Sequence, residues 1–234
     1  MKFRRSWVPN LVTSGNLFCG FLAVIAAVDN LPLKAAVLIC LAASFDTLDG
    51  RTARALGVSG EFGKELDSLA DVVSFGCAPA LLVYQIYLRE AGWIGVVAAG
   101  IFVCCGAGRL ARYNLITSSD KRFFVGMPIP MAGMTAAALA LYEYPGNPYP
   151  LNPYVATVFI GLAGLLMIST LRFPALEQLA FEAPIPVRIM FVTIFVLALS
   201  RPDRLLFVLP LVYIIYGLVA NMIWTLRARS KQTA

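Results

Sequence analysis

The sequence predicts an all-α fold, a polytopic membrane helix bundle of about eight transmembrane helices arranged as a six-helix core plus two. Three observations predict it. Hydrophobic residues make up 59% of the 234 residues and charged residues 14%, against about 25% charged in an ordinary soluble domain. Apolar runs of about 20 residues recur from end to end, the length that crosses a bilayer as a helix. Strand-like alternation is absent, and helices satisfy their own backbone in lipid. The length suits a single domain over residues 1–234.

The spans fall at roughly 10–29, 33–56, 66–88, 92–116, 128–144, 153–172, 186–200 and 204–226. The opening Met1-Lys-Phe-Arg-Arg-Ser reads as the flank of the first span rather than a cleaved signal, since no small-residue cleavage site follows. Asn10, Thr13 and Asn16 share one face of that span, where interhelical packing is the plainest reading. Gly57-Val-Ser-Gly60 and Gly63 break the second span from the third. The fifth and seventh spans are short and flanked by prolines. The stretches 143–153 and 200–203 read as short external turns. No internal repeat is visible, which weighs against transporters built from inverted repeats.

Charge sets the topology. Of 19 Lys and Arg residues, all but Lys34, Arg89, Arg201 and Arg204 fall on the side that holds both termini. The positive-inside rule makes that side cytoplasmic, in the inner membrane of a cell. The net charge of +6 therefore points to anionic lipid head groups and not to nucleic acid. There is no histidine, which removes it as base, ligand or phosphoenzyme nucleophile. Cys19, Cys40, Cys77, Cys104 and Cys105 all sit in apolar stretches without a CxxC pair, and read as packing residues.

The acids concentrate between Ser44 and Gly76. Asp46 and Asp49 share one helix face, and Asp67 and Asp71 share another. The helical hairpin is expected to bring both pairs to one point just inside the membrane surface. Carboxylates gathered in low dielectric repel, and all-oxygen donors bind hard divalent ions. Two such ions clamp phosphoryl oxygens during displacement at phosphorus. Gly50, Ala53 and Gly63 leave room beside the acidic face, and Arg54 can fork onto a phosphate. The plainer alternative is a solvated loop in which the acids pair with Arg51, Arg54 and Lys64.

Written as a pattern, the stretch is Asp46-x2-Asp49-Gly50-x2-Ala53-Arg54-x8-Gly63-x3-Asp67-x3-Asp71. It resembles the signature of the CDP-alcohol phosphatidyltransferase family at every position. The resemblance implies transfer of a phosphatidyl group from a CDP-linked lipid to an alcohol, with release of CMP. It implies that Asp46, Asp49, Asp67 and Asp71 hold two ions, Mg²⁺ or Mn²⁺, and that Asp71 also takes the acceptor's proton. Gly50, Ala53, Arg54 and Gly63 would then lie against the CMP moiety. A homodimer is implied as well.

Softer stretches, Pro9–Leu22, Gly108–Asn114 with Phe124–Pro130, and Ser169–Pro174, resemble the phosphatidylserine synthase branch of that family. This implies CDP-diacylglycerol and L-serine as substrates. Arg109 and Arg112 share a face and are candidates for the serine carboxylate or the donor phosphates, with Asn114 and Arg172 as further contacts. The alternatives keep the chemistry and change the acceptor to glycerol 3-phosphate or inositol phosphate. A divalent-cation transporter is the reading from another class, disfavoured because the acids gather at one face.

Overall fold

The computed structural model describes residues 7–58, 60–115, 123–142 and 151–174, together with 185–186, 189, 193, 212–219 and 221–222. The first six expected spans each contain a helix: α1 (Trp7–Val28), α2 (Pro32–Leu56), a broken third helix, α5 (Trp93–Leu115), α6 (Ile129–Leu141) and α7 (Pro153–Ile168). The third runs as α3 (Glu61–Asp71), a π-helical stretch (Val72–Cys77) and α4 (Ala78–Ile86). Of the seventh expected span only residues 186, 189 and 193, all helical, are described, and of the eighth only a helical piece at 212–219 and 221–222.

Local chemistry sets the boundaries. Prolines open α2, α6 and α7, where their missing N–H is no loss. Asn152 caps α7 by accepting from the Tyr154 backbone N–H at 2.9 Å. Gly57 ends α2 in the left-handed region, at φ 63°. Its N–H donates to the Arg54 carbonyl, and that of Val58 to the Ala53 carbonyl, which is a Schellman closure. The chain therefore reverses within four residues of Leu56 and enters α3.

Among the described residues, three helices are long and apolar enough to cross a membrane: Trp7–Val28, the continuous run Glu61–Ile86, and Trp93–Leu115. α2 is as long but carries the first acidic pair and its arginines. α6 and α7 are shorter than expected. The 13 residues of α6 span about 20 Å, against a hydrocarbon core of about 30 Å. α7 stops at Ile168 because Ser169 turns extended, at ψ 162°. The chain then forms β2 (Arg172–Pro174), antiparallel to β1 (Phe123–Val125), with Val125 opposite Arg172. Arg172 thus belongs to a strand, not to the end of a helix.

The core is built on close approach. Ala23, Ala26 and Ala27 of α1 and Ala35, Ala36, Ile39 and Ala42 of α2 are fully buried, and α1 and α2 make the most extensive helix contact. Small residues let backbones meet where lipid gives no hydrophobic drive. α6 is buried along nearly its whole length. α1 also packs against α3, the π-helical stretch and α4. α2 meets α4 and the π-helical stretch more closely than it meets α3. The opening left between α1, α2 and α3 is the site described next.

Candidate active site

Asp46 and Asp49 lie on the last turns of α2, Asp67 and Asp71 on α3. Asp49 and Asp71 are buried, at 5% and 6% exposure, and Asp46 and Asp67 are half-buried. Asp46, Asp49 and Asp67 each bring a carboxylate oxygen within 4.8 Å of the others. Asp71 lies outside this trio but close enough to feel the charges of Asp46, Asp67 and Asp49. The expected convergence of four carboxylates is therefore a trio with a fourth, more deeply buried acid beside it.

Three mutual repulsions at that spacing cost about 3 kcal/mol each at an effective dielectric of about 20. Neutral donors from α1 offset part of this. Thr13 Oγ1 donates to Asp49 Oδ2 at 2.8 Å, and Asn16 Nδ2 to Asp71 Oδ1 at 3.1 Å. A hydrogen bond to a charged acceptor returns about 1.5–3 kcal/mol, so the repulsion is only partly met. Asp67 Oδ1 is buried without a partner among the described residues.

The donor set fits hard divalent ions. Oxygens on one octahedral Mg²⁺ stand about 3 to 4 Å apart, and those of the trio lie within 4.8 Å of one another. Asp67 Oδ1 is an unmatched lone-pair site within that trio.

A cavity of about 900 Å³ opens beside the acids. Asp49 and Asp67 form its acidic wall, with Gly50, Ala53 and Gly63 beside them. A Cβ built on Gly50 would meet nothing within 4 Å, so no neighbouring protein atom demands glycine there. On Gly63 it would come 3.2 Å from Asn10 Oδ1. Trp7, Leu11 and Phe62 supply an apolar margin, and Phe62 is 71% exposed. Arg54 is exposed on the final turn of α2 and is not part of the lining.

The arginines divide. Arg109 is buried on α5, its guanidinium 6.0 Å from the Tyr113 ring centroid, and Asp71 acts on it electrostatically. Arg112 instead reaches across to backbone. It donates to the carbonyls of Ile168 (2.9 Å), Val125 (2.9 Å) and Ser169 (3.4 Å). It thereby closes the C-terminus of α7 and ties it to β1. Gly126, at φ 83°, makes the turn beside it, and a Cβ there would collide with the Met167 carbonyl. The Gly126 N–H donates to the Leu171 carbonyl at 2.7 Å.

Asn114 also turns to protein. Its Nδ2 donates to Ser68 Oγ at 2.9 Å and Glu65 Oε1 at 3.4 Å, and its carbonyl accepts from Lys64 Nζ at 3.0 Å. It fastens the end of α5 to α3. The Arg172 side chain lies outside the described residues. Sequence reasoning placed Thr13 and Asn16 on one face but not against the acids. The available signal was the recurrence of polar residues every third position in an otherwise apolar helix.

The chain is also similar in sequence to known proteins. A family model described as CDP-alcohol phosphatidyltransferase matches residues 6–170. A CDP-diacylglycerol–serine O-phosphatidyltransferase of Helicobacter pylori strain J99 is 36% identical over 90% of this chain and 89% of its own. One from Methanocaldococcus jannaschii is 36% identical over 91% of this chain and 92% of its own. An archaetidylserine synthase of Methanothermobacter thermautotrophicus is 35% identical over 73% and 70%. The matched region takes in the acid-bearing helices, the α1 donors and the cavity together. The chain is an integral membrane protein of the CDP-alcohol phosphatidyltransferase family.

Proposed function

We propose that the protein is a phosphatidylserine synthase, which transfers the phosphatidyl group of CDP-diacylglycerol to the hydroxyl of L-serine and releases CMP. The observation that carries this is the carboxylate trio, two of whose members, Asp49 and Asp67, line a roomy cavity, in a chain 36% identical to serine-using transferases along nearly its whole length.

In this reading Asp46, Asp49, Asp67 and Asp71 hold two divalent ions, Mg²⁺ or Mn²⁺, over the single domain 1–234. When bound, the ions neutralise the pyrophosphate and stabilise the leaving phosphate. Gly50, Ala53 and Gly63 let the CMP moiety approach the helix backbones, and Arg54 reaches a phosphate from the rim. The serine hydroxyl oxygen forms a bond to the phosphorus that carries diacylglycerol. The bond from that phosphorus to the bridging oxygen breaks, and CMP leaves with the electron pair. Asp71 takes the hydroxyl proton. Arg109 balances Asp71 and offers its charge to the serine carboxylate. Arg112 and Asn114 hold the scaffold instead of the substrate. The site and both termini face the cytoplasm across the inner membrane, and the enzyme works as a homodimer.

The test is CMP release by the purified protein in detergent with Mn²⁺ or Mg²⁺. L-serine, glycerol 3-phosphate, inositol 1-phosphate and no acceptor are compared, each beside Asp71→Asn. Serine-dependent release that the substitution removes is the expected result. Release with a different acceptor would overturn the choice of serine and keep the chemistry.

A further inference from the structure

Asn16 is fully buried on α1, where apolar or small side chains fill most neighbouring positions. Its amide has a fixed orientation. Its Nδ2 donates to Asp71 Oδ1 at 3.1 Å, which turns its own Oδ1 elsewhere. Oδ1 is buried, and no donor among the described residues reaches it. A side chain kept for packing alone would be better as leucine, which leaves no acceptor unmatched. The helix gives up that satisfaction to set a donor against Asp71.

A second tie fixes the same pair. Ser74, in the π-helical stretch three residues beyond Asp71, donates from Oγ to the Asn16 carbonyl at 3.0 Å. Gly20 allows the approach, since a Cβ there would collide with Ser74 Oγ. Asn16 is thus pinned through its main chain to the helix whose carboxylate it orients through its side chain.

We propose that Asn16 is a positioning residue for phosphatidyl transfer, holding Asp71 by one carboxylate oxygen so that the other meets the acceptor hydroxyl. This rests on the reading of Asp71 as the group that takes the proton. Thr13 makes the parallel contact to Asp49, a member of the trio from which Asp71 stands apart. The two α1 donors therefore differ in emphasis: loss of Thr13 acts on ion affinity, and loss of Asn16 acts first on turnover, with a smaller effect on the ion that Asp71 also holds.

The experiment compares wild type, Asp71→Asn, Asn16→Ala and Asn16→Ser in detergent micelles containing CDP-diacylglycerol. It measures kcat and KM for both substrates, Mn²⁺ affinity by electron paramagnetic resonance, and thermal unfolding. Asn16→Ala is expected to lower kcat about 10- to 100-fold, with KM for both substrates held within about twofold and any fall in Mn²⁺ affinity smaller than that of Asp71→Asn. Asn16→Ser, which keeps a short donor, is expected to recover part of the loss. A folded Asn16→Ala with wild-type kcat overturns the inference. So does a parallel fall in kcat, both affinities and melting temperature, the pattern of a helix tie alone. If the alanine variant does not fold, the serine variant is judged by the same criteria. Wild-type protein without serine-dependent release would sink the proposed reaction itself, and this inference with it. An active wild type with an indifferent Asn16 sinks the inference alone.

Discussion

The acidic cleft and the arginine-bearing end of α5 both carry charge near the same end of the bundle, and they use it in opposite ways. In the cleft, carboxylates crowd together, neutral donors from α1 meet Asp49 and Asp71, and one buried carboxylate oxygen, Asp67 Oδ1, is left over among the described residues. That arrangement is costly unless something positive enters. At the end of α5, Arg112 spends its fork on three backbone carbonyls, and Asn114 spends its amide on α3. Those two side chains are already engaged by the protein. Charge that is left unmet belongs to ligands, and charge that is met belongs to the fold, although both look alike in sequence.

The strongest way to break the contrast is to remove an acid. Asp67→Ala should lower serine-dependent CMP release about 1000-fold and abolish tight Mn²⁺ binding in the same titration, while the melting temperature holds or rises as repulsion is relieved. A folded variant that kept its activity would deny the cleft its role. The mirror experiment is Arg112→Met, expected to cost about 2 kcal/mol of stability through the lost carbonyl contacts. Thermal unfolding in detergent reads this, with KM for serine unchanged. A selective rise in that KM would instead place Arg112 on the substrate.

A smaller effect separates the α1 donors. Thr13→Val is close in shape but removes the hydroxyl that meets Asp49, so Mn²⁺ affinity should fall about tenfold. The smallest is Asn114→Ala, which unties α5 from α3. It should cost about 1 kcal/mol in unfolding and leave the ratio of serine to glycerol 3-phosphate use where it was. A shift in that ratio would return Asn114 to the acceptor site.

Much of this was legible in the residues. Helix periodicity and apolar length located the first six helices, and the Asp46–Asp71 spacing located the acids. What spacing cannot express is how α2 and α3 pack, and so that three carboxylates group while Asp71 sits apart. Nor does it reveal that the span expected to run to Arg172 stops at Ile168. That ending depends on carbonyls captured by Arg112 and on the short ribbon formed with Phe123–Val125, both contacts between distant parts of the chain. Asn16 and Thr13 were visible as a polar face, but their partners lie 55 and 36 residues away.

The π-helical stretch Val72–Cys77 follows Asp71 directly. Winding wider than an α-helix over six residues makes the chain lag by about one residue, or roughly 100° of rotation. It works as a phase shifter in a single rod. Upstream, the rod aims its acids at the cleft. Downstream, it aims Ala78, Leu82 and Val83 into the bundle core. Neither half must compromise its angle for the other. Deleting one residue from the stretch would restore an even winding, and would force the rod to choose between its chemistry and its packing.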